Sequence, residues 1–258
     1  SLAALIEAHV PVGPTTIRID PVAPQPEILI ADPNTPTTAH DPVNITGIAQ
    51  MIVDQGGGFV GLCTGSLINP RTVIFAAHCV NSRAATDYGA AQGGTGIAFG
   101  FETNTRANAA GQTDEVVRWL ALGPGGTGKY QPNLAQAFFN ANWVAYNPLS
   151  LEPAANSFLY GDVAMASLDT PAAGIPSWAL LFSPLTNTGT IGAAGTGFNV
   201  GITGYGNSGT GMSGASQGDF RRRAAENILG ALTDLQTFEQ FLFGGAQRND
   251  RPPRYRLG

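Results

Sequence analysis

Apolar positions in this chain gather in short stretches, at residues 51–53, 59–63, 72–76, 116–120, 163–168, 178–182 and 198–203, with Gly, Asn, Asp and Pro between them. Runs of this length bounded by turn residues predict strands, and their succession predicts a β-barrel or sandwich. No self-similarity recurs at a period of about 20 to 50 residues, which argues against a propeller or solenoid. Two stretches depart from the pattern. Residues 1–44 hold eight of the 18 prolines, among them Pro21, Pro24, Pro26, Pro33, Pro36 and Pro42. Proline cannot donate in a central strand or continue a helix, so this segment is expected to lie extended across the surface as an arm, with the core beginning near Ile45. In residues 219–242, Ile228, Leu232, Leu235 and Leu242 keep helical spacing while 220–228 reads equally as a strand. Both readings stay open.

Composition narrows the class. A chain of 258 residues that is 43% hydrophobic can bury one large core or two small ones. Only 12% of residues are charged, against 34 glycines and 18 prolines, which favours strands and turns over long surface helices and so an all-β fold. The net charge of -5 provides no attraction to nucleic acid or anionic membrane, and no uninterrupted apolar run reaches the roughly 18–20 residues of a bilayer span. Lys129 is the sole lysine, a bias that fits a GC-rich bacterial genome. Residues 1–10 are apolar but lack a basic flank and a clear cleavage site, so they do not read as a signal peptide.

Cys63 and Cys79, the only two cysteines, lie close enough in sequence for a hairpin to join them. They read as one disulfide, worth about 3 kcal/mol on the chain-entropy model and lasting only in an oxidising compartment, so the protein is expected to be secreted or displayed at the cell surface. The competing reading is a metal site with His78, but two thiols and one imidazole lack a fourth ligand and no CxxC spacing is present. No cofactor is expected.

The cysteines bracket the most informative segment, Cys63-Thr-Gly-Ser-Leu-Ile-Asn-Pro-Arg-Thr-Val-Ile-Phe-Ala-Ala-His78-Cys79. Residues 59–68 and 72–76 predict a hairpin around Asn69-Pro70-Arg71, and the small Ala76-Ala77 pair permits a tight turn that brings His78 to a barrel rim. The disulfide would then limit how far the imidazole wanders, as a general base requires. This segment resembles the trypsin/chymotrypsin family of serine proteases, where a Cys-x-Gly-Ser-Leu-Ile strand and a second apolar strand end in Ala-Ala-His-Cys. His9 and His40, in the proline-rich arm, have no such setting and read as solvated.

Two further segments follow in family order. Gly161-Asp162-Val163-Ala164-Met165-Ala166 looks like the family's Asp-Ile-Ala-Leu strand, whose aspartate orients the catalytic histidine, and this makes Asp162 the candidate over Asp87, Asp114 and Asp169. The long spacing from His78 is assigned to insertions within 81–132. Gly201-Ile-Thr-Gly-Tyr205-Gly206 resembles the Val-Thr-Gly-Trp-Gly segment near the start of the second barrel, and 221–228 looks like its next strand, with Arg221-Arg222-Arg223 as a solvated edge. The Gly-Asp-Ser-Gly-Gly turn that should present the nucleophile is not in these residues. Gly206-Asn207-Ser208-Gly209 is the nearest imitation, but Ser208 abuts the Gly-Tyr-Gly segment where the family interposes strands and loops; Ser213 has no nucleophile-elbow context either.

The resemblance implies a chymotrypsin-like double β-barrel: arm at 1–44, complete first barrel with inserted loops at 45–182, partial second barrel at 183–258 ending in an exposed Arg/Pro-rich loop. It implies a serine endopeptidase acting on protein or peptide substrates through an acyl-enzyme. His78 and Asp162 would be catalytic, and a C-terminal companion segment or chain would carry the serine. The family's Ile-Val-Gly-Gly start is replaced by Asn44-Ile-Thr-Gly, and together with the arm and the near absence of lysine this looks most like the protease passenger of a bacterial autotransporter. The alternatives are a non-catalytic protease homologue that binds a partner, and an adhesin-like surface module.

Overall fold

A computed structural model describes residues 18–19, 27–30, 45–89, 94–105, 115–121, 138–151, 161–183, 198–210, 214–215 and 220–229. Twelve strands run through them: β1 (Arg18–Ile19), β2 (Glu27–Ile30), β3 (Ile48–Gly56), β4 (Phe59–Asn69), β5 (Thr72–Phe75), β6 (Ile97–Gly100), β7 (Phe138–Tyr146), β8 (Ala164–Leu168), β9 (Asn199–Gly204), β10 (Asn207–Thr210), β11 (Gly214–Ala215) and β12 (Arg223–Ile228). One helix, α1 (Glu115–Ala121), accompanies them with a few single 3-10 turns. The fold is all-β, as the short apolar runs predict.

Alternation along β3 to β8 builds the core. β4 pairs with β3 on one side and, over Gly65–Asn69, with β5 on the other. Antiparallel pairings β3–β6, β6–β7, β7–β8 and β8–β5 then carry the sheet round until β5 returns to β4, closing a six-stranded barrel. Closure pairs the strand edges that would otherwise invite association. Every second residue points inward: Met51 and Val53, Val73 and Phe75, Ile97 and Phe99, Ala166 and Leu168 all belong to one buried cluster. The rings of Phe75 and Phe99 meet at 5.7 Å in a tilted pair. The hairpin predicted around Asn69-Pro70-Arg71 is present, and Arg71 Nη1 donates to the carbonyls of Leu168 and Asp169, tying this turn to the end of β8.

Two of the strands expected from the sequence are corrected. Residues 116–120 form a helix: Val116, Trp119 and Leu120 stand at i, i+3 and i+4, so one helical face covers Ile52, Leu62 and Ala98 on the outside of the barrel. Residues 178–182 form no strand; Trp178 is held by its amide to Leu67 O and by Nε1 to Thr46 O, and the chain from there to Phe182 is exposed. The region 81–132, within which the insertions are expected, also supplies barrel strand β6. β7 escapes the pattern because asparagines interrupt its apolar run; buried Asn140 there accepts a hydrogen bond from Trp119 Nε1, and a bulge falls between Ala141 and Trp143.

Beyond the barrel, β9 pairs with β12 from Arg223↔Gly204 to Ile228↔Asn199, so the strand reading holds for this part of 219–242. β10 pairs antiparallel with β11 and parallel with β2. The described residues of this half make these two small sheets. Tyr205 is buried between β9 and the barrel; its amide donates to Thr64 Oγ1 and its hydroxyl lies within bonding distance of Ile48 O and Glu102 O. Two of the three arginines expected at a solvated edge are buried: Arg222 and Arg223 are 3% and 4% exposed, and Arg222 reaches Phe101 O and Thr103 Oγ1.

Tyr88, 2% exposed in the barrel cluster, has its phenol pKa raised from 10.0, chiefly by burial and against the lowering effects of a hydrogen bond to Ser82 and of Arg83. A phenol that holds its proton more tightly folded than unfolded contributes full stability below pH 10.0 and loses it as pH rises towards the folded value. Melting temperature is therefore expected to fall above that pH, and Tyr88→Phe should flatten the fall. An identical alkaline slope in the variant, measured by thermal denaturation across this range, would show that Tyr88 is not the source.

Candidate active site

His78 sits in a single 3-10 turn, Ala77–Cys79, where β5 leaves the barrel wall. The turn is tight because Ala76 and Ala77 are small: Ala77 is fully buried, and Val80 and Asn81 both donate to its carbonyl at 2.9 and 2.8 Å. Cys79 is bonded to Cys63 of β4 with a Cα separation of 6.4 Å, inside the usual disulfide range of about 4.4–6.8 Å. The residue beside the imidazole is thus tied back to the preceding strand. Both sulfurs are spent in this bond, so of the Cys63, His78 and Cys79 cluster only the imidazole offers a ligand atom to a metal.

Asp162 arrives from the other side, just before β8. Val163 N–H donates to Gly161 O, a three-residue turn with Asp162 at its centre, and Gly161 makes the approach at φ +54, where a side chain would be strained. The carboxylate meets His78 with both oxygens. Oδ1 accepts the backbone N–H of His78 at 2.7 Å and Oδ2 lies 2.8 Å from Nδ1. The side chains are 35% and 19% exposed, so the imidazole reaches solvent while the carboxylate is mostly covered. Neither the histidine ring nor its backbone can rotate away without breaking a charge-assisted bond.

A second layer joins the two turns. Buried Asn81 donates to Ser150 O at 2.7 Å, and Ser150 Oγ donates to Gly161 O at 3.3 Å, next to Asp162. Asn147 caps the turn that carries Ser150 by accepting from Leu149 N. Nothing in the sequence marks these residues as part of a site. The other carboxylates are used elsewhere: Asp169 accepts from Asn140 and Thr170 at the far end of β8, and Asp87 lies in a separate 3-10 turn. Asp114, His9, His40 and Ser213 lie outside the described residues. Ser208 lies inside strand β10, paired with Ile28 of β2, where no turn presents it as a nucleophile.

Among the described residues no helix is long and apolar enough to cross a membrane, and the disulfide with this feature is compatible with secretion. No curated protein matches the chain. The trypsin family model matches residues 41–112, the stretch that contains β3 to β6, the disulfide and His78. This match to the trypsin model, on a closed all-β barrel, supports a place for the chain in the trypsin/chymotrypsin-like serine protease family and a serine-peptidase-like function.

Proposed function

We propose that the protein is a serine endopeptidase in which His78 is the general base and Asp162 its orienting carboxylate. The observation that carries this reading is the double contact of Asp162 with the backbone N–H and the Nδ1 of His78. A carboxylate against Nδ1 favours the tautomer with the proton on that nitrogen, which places the lone pair on Nε2. Nε2 takes the proton from a serine hydroxyl as its oxygen attacks the peptide carbonyl. The imidazolium, stabilised by Asp162, then gives that proton to the leaving amine, and water hydrolyses the acyl-enzyme by the same two proton transfers.

The nucleophile and its oxyanion amides come, in this reading, from a companion segment outside the 258 residues, together with the rest of a second barrel. Two observations favour this over Ser208: the Gly-Asp-Ser-Gly-Gly segment does not occur here, and Ser208 occupies a strand ladder. Export fits the disulfide, and an autotransporter passenger fits the proline-rich arm and single lysine. The missing serine segment also keeps a second reading in play, a non-catalytic homologue that binds a partner through the same barrel.

A fluorophosphonate probe applied to the full-length gene product separates these readings. Covalent labelling of one serine outside 1–258, lost in His78→Ala, is the expected result. No labelling where a control serine protease labels would overturn the protease reading in favour of the homologue. Labelling of Ser208 would move the nucleophile into this chain.

A further inference from the structure

The N-terminal segment does more than lie across the surface. β4 is eleven residues long, but β5 pairs only with its second half, from Gly65 onward, so the outer edge at Phe59 and Val60 is left for another strand. β1 takes it in parallel, Arg18 against Phe59 and Ile19 against Val60. Eight residues on from Ile19, β2 pairs in parallel with the whole of β10, from Glu27↔Asn207 to Ile30↔Thr210. Without β2, β10 would keep, among the described residues, only the two-residue partner β11, a hairpin too small to be stable by itself. The same short segment is therefore bonded to the barrel that holds His78 and Asp162 and to the sheet that follows Tyr205.

We infer that β1 and β2 act together as a two-point strap whose binding surface is the pair of strand edges on β4 and β10, and that the strap stays bound as a separate peptide when the chain is cut between residues 31 and 44. Neither ladder is long. They are joined by the seven residues 20–26, however, so release of one anchor leaves the other holding its partner at a high effective concentration. The prolines at 21, 24 and 26 reduce the freedom of that joint and with it the entropy lost on binding. Cleavage in 31–44 then yields a two-chain protein. This inference concerns the backbone ladders alone and does not depend on the protease reading.

The test uses the full chain with a rare-cutting protease recognition sequence inserted between Pro36 and Thr37. After cleavage, size-exclusion chromatography under native conditions should return the N-terminal peptide in the same peak as the remainder, identified by intact mass. A peptide that elutes at its own size on the first passage would overturn the strap. In Ile19→Pro, which removes a backbone donor from β1, the peptide should dissociate at least about 10²-fold faster, because one anchor of a bivalent pair is weakened. An unchanged rate would remove β1 as an anchor. Should that variant fold poorly, the paired substitutions Ile28→Cys and Ser208→Cys examine the other anchor: oxidation should hold the cut peptide on the protein in denaturant until reductant is added. Failure of this bond to form would refute the β2–β10 register.

Discussion

Asp162→Asn in the complete protein is expected to lower kcat/KM for peptide cleavage by about 10⁴-fold with the barrel still folded. Two oxygens of Asp162 serve two N–H groups of one residue, the backbone amide and Nδ1 of His78. Asparagine has a single oxygen. If that oxygen keeps the backbone amide, its NH2 group faces Nδ1 and can be satisfied only when Nδ1 accepts, which moves the ring proton to Nε2 and removes the base. If the oxygen serves Nδ1 instead, the NH2 group opposes the backbone N–H and the turn at Ala77–Cys79 is pushed out of place. Either arrangement disables the histidine. Asp162 stands in a short turn at the barrel rim and is not among the core residues, so the melting temperature should change little. Steady-state kinetics with a peptide substrate and thermal denaturation of the same sample decide the matter. Activity within about tenfold of the parent, where a tautomer defect costs about 10⁴-fold, would remove Asp162 from the mechanism.

The second large effect concerns stability. Replacing both Cys63 and Cys79 by alanine opens a cross-link that spans 16 residues. The chain-entropy model assigns such a loop about 3 kcal/mol. For a protein of this size that corresponds to a fall in melting temperature of about 6–12 °C. The bond also ties the turn carrying His78 to β4, so activity at temperatures where the variant is fully folded should drop as well. Differential scanning calorimetry measures the first effect and kinetics well below the transition the second. A melting temperature within about 2 °C of the parent would show that the bond adds little to stability. Unchanged turnover would show that the Asp162 contact and the Asn81–Ser150 link alone position the imidazole.

The elements legible in the sequence were those whose signal is local. The β4–β5 hairpin shows as two apolar runs about Asn69-Pro70-Arg71, and the tight turn at His78 shows as a pair of alanines before it. The cysteine pairing was readable because the chain has only two. The misread elements were those whose character depends on what packs against them. Residues 116–120 are apolar enough for a strand, but a strand there would have needed a ladder partner, whereas a helix places Val116, Trp119 and Leu120 together over the apolar outer face of β3, β4 and β6. Residues 178–182 are equally apolar and find no ladder, so they remain extended and exposed. Arg222 and Arg223 look solvated until the loop at 101–105 folds over them and offers Phe101 O and Thr103 Oγ1 to Arg222.

By itself the sequence determined the all-β class, the closing hairpin and the cysteine pair, because each is written in a short motif or in the alternation of neighbouring side chains; it singled out His78 and Asp162 only through resemblance to the trypsin/chymotrypsin family. The tertiary structure decided what spans long separations. It joined His78 to Asp162 across 84 positions through both carboxylate oxygens, recruited Asn81 and Ser150 behind them, and brought β6 and β7 in to close the barrel. It also paired the proline-rich N-terminal segment with β4 and β10. The physical reason is the same in each case: a side chain's partner or a strand's edge is supplied by remote residues, and no local pattern records which ones will be there.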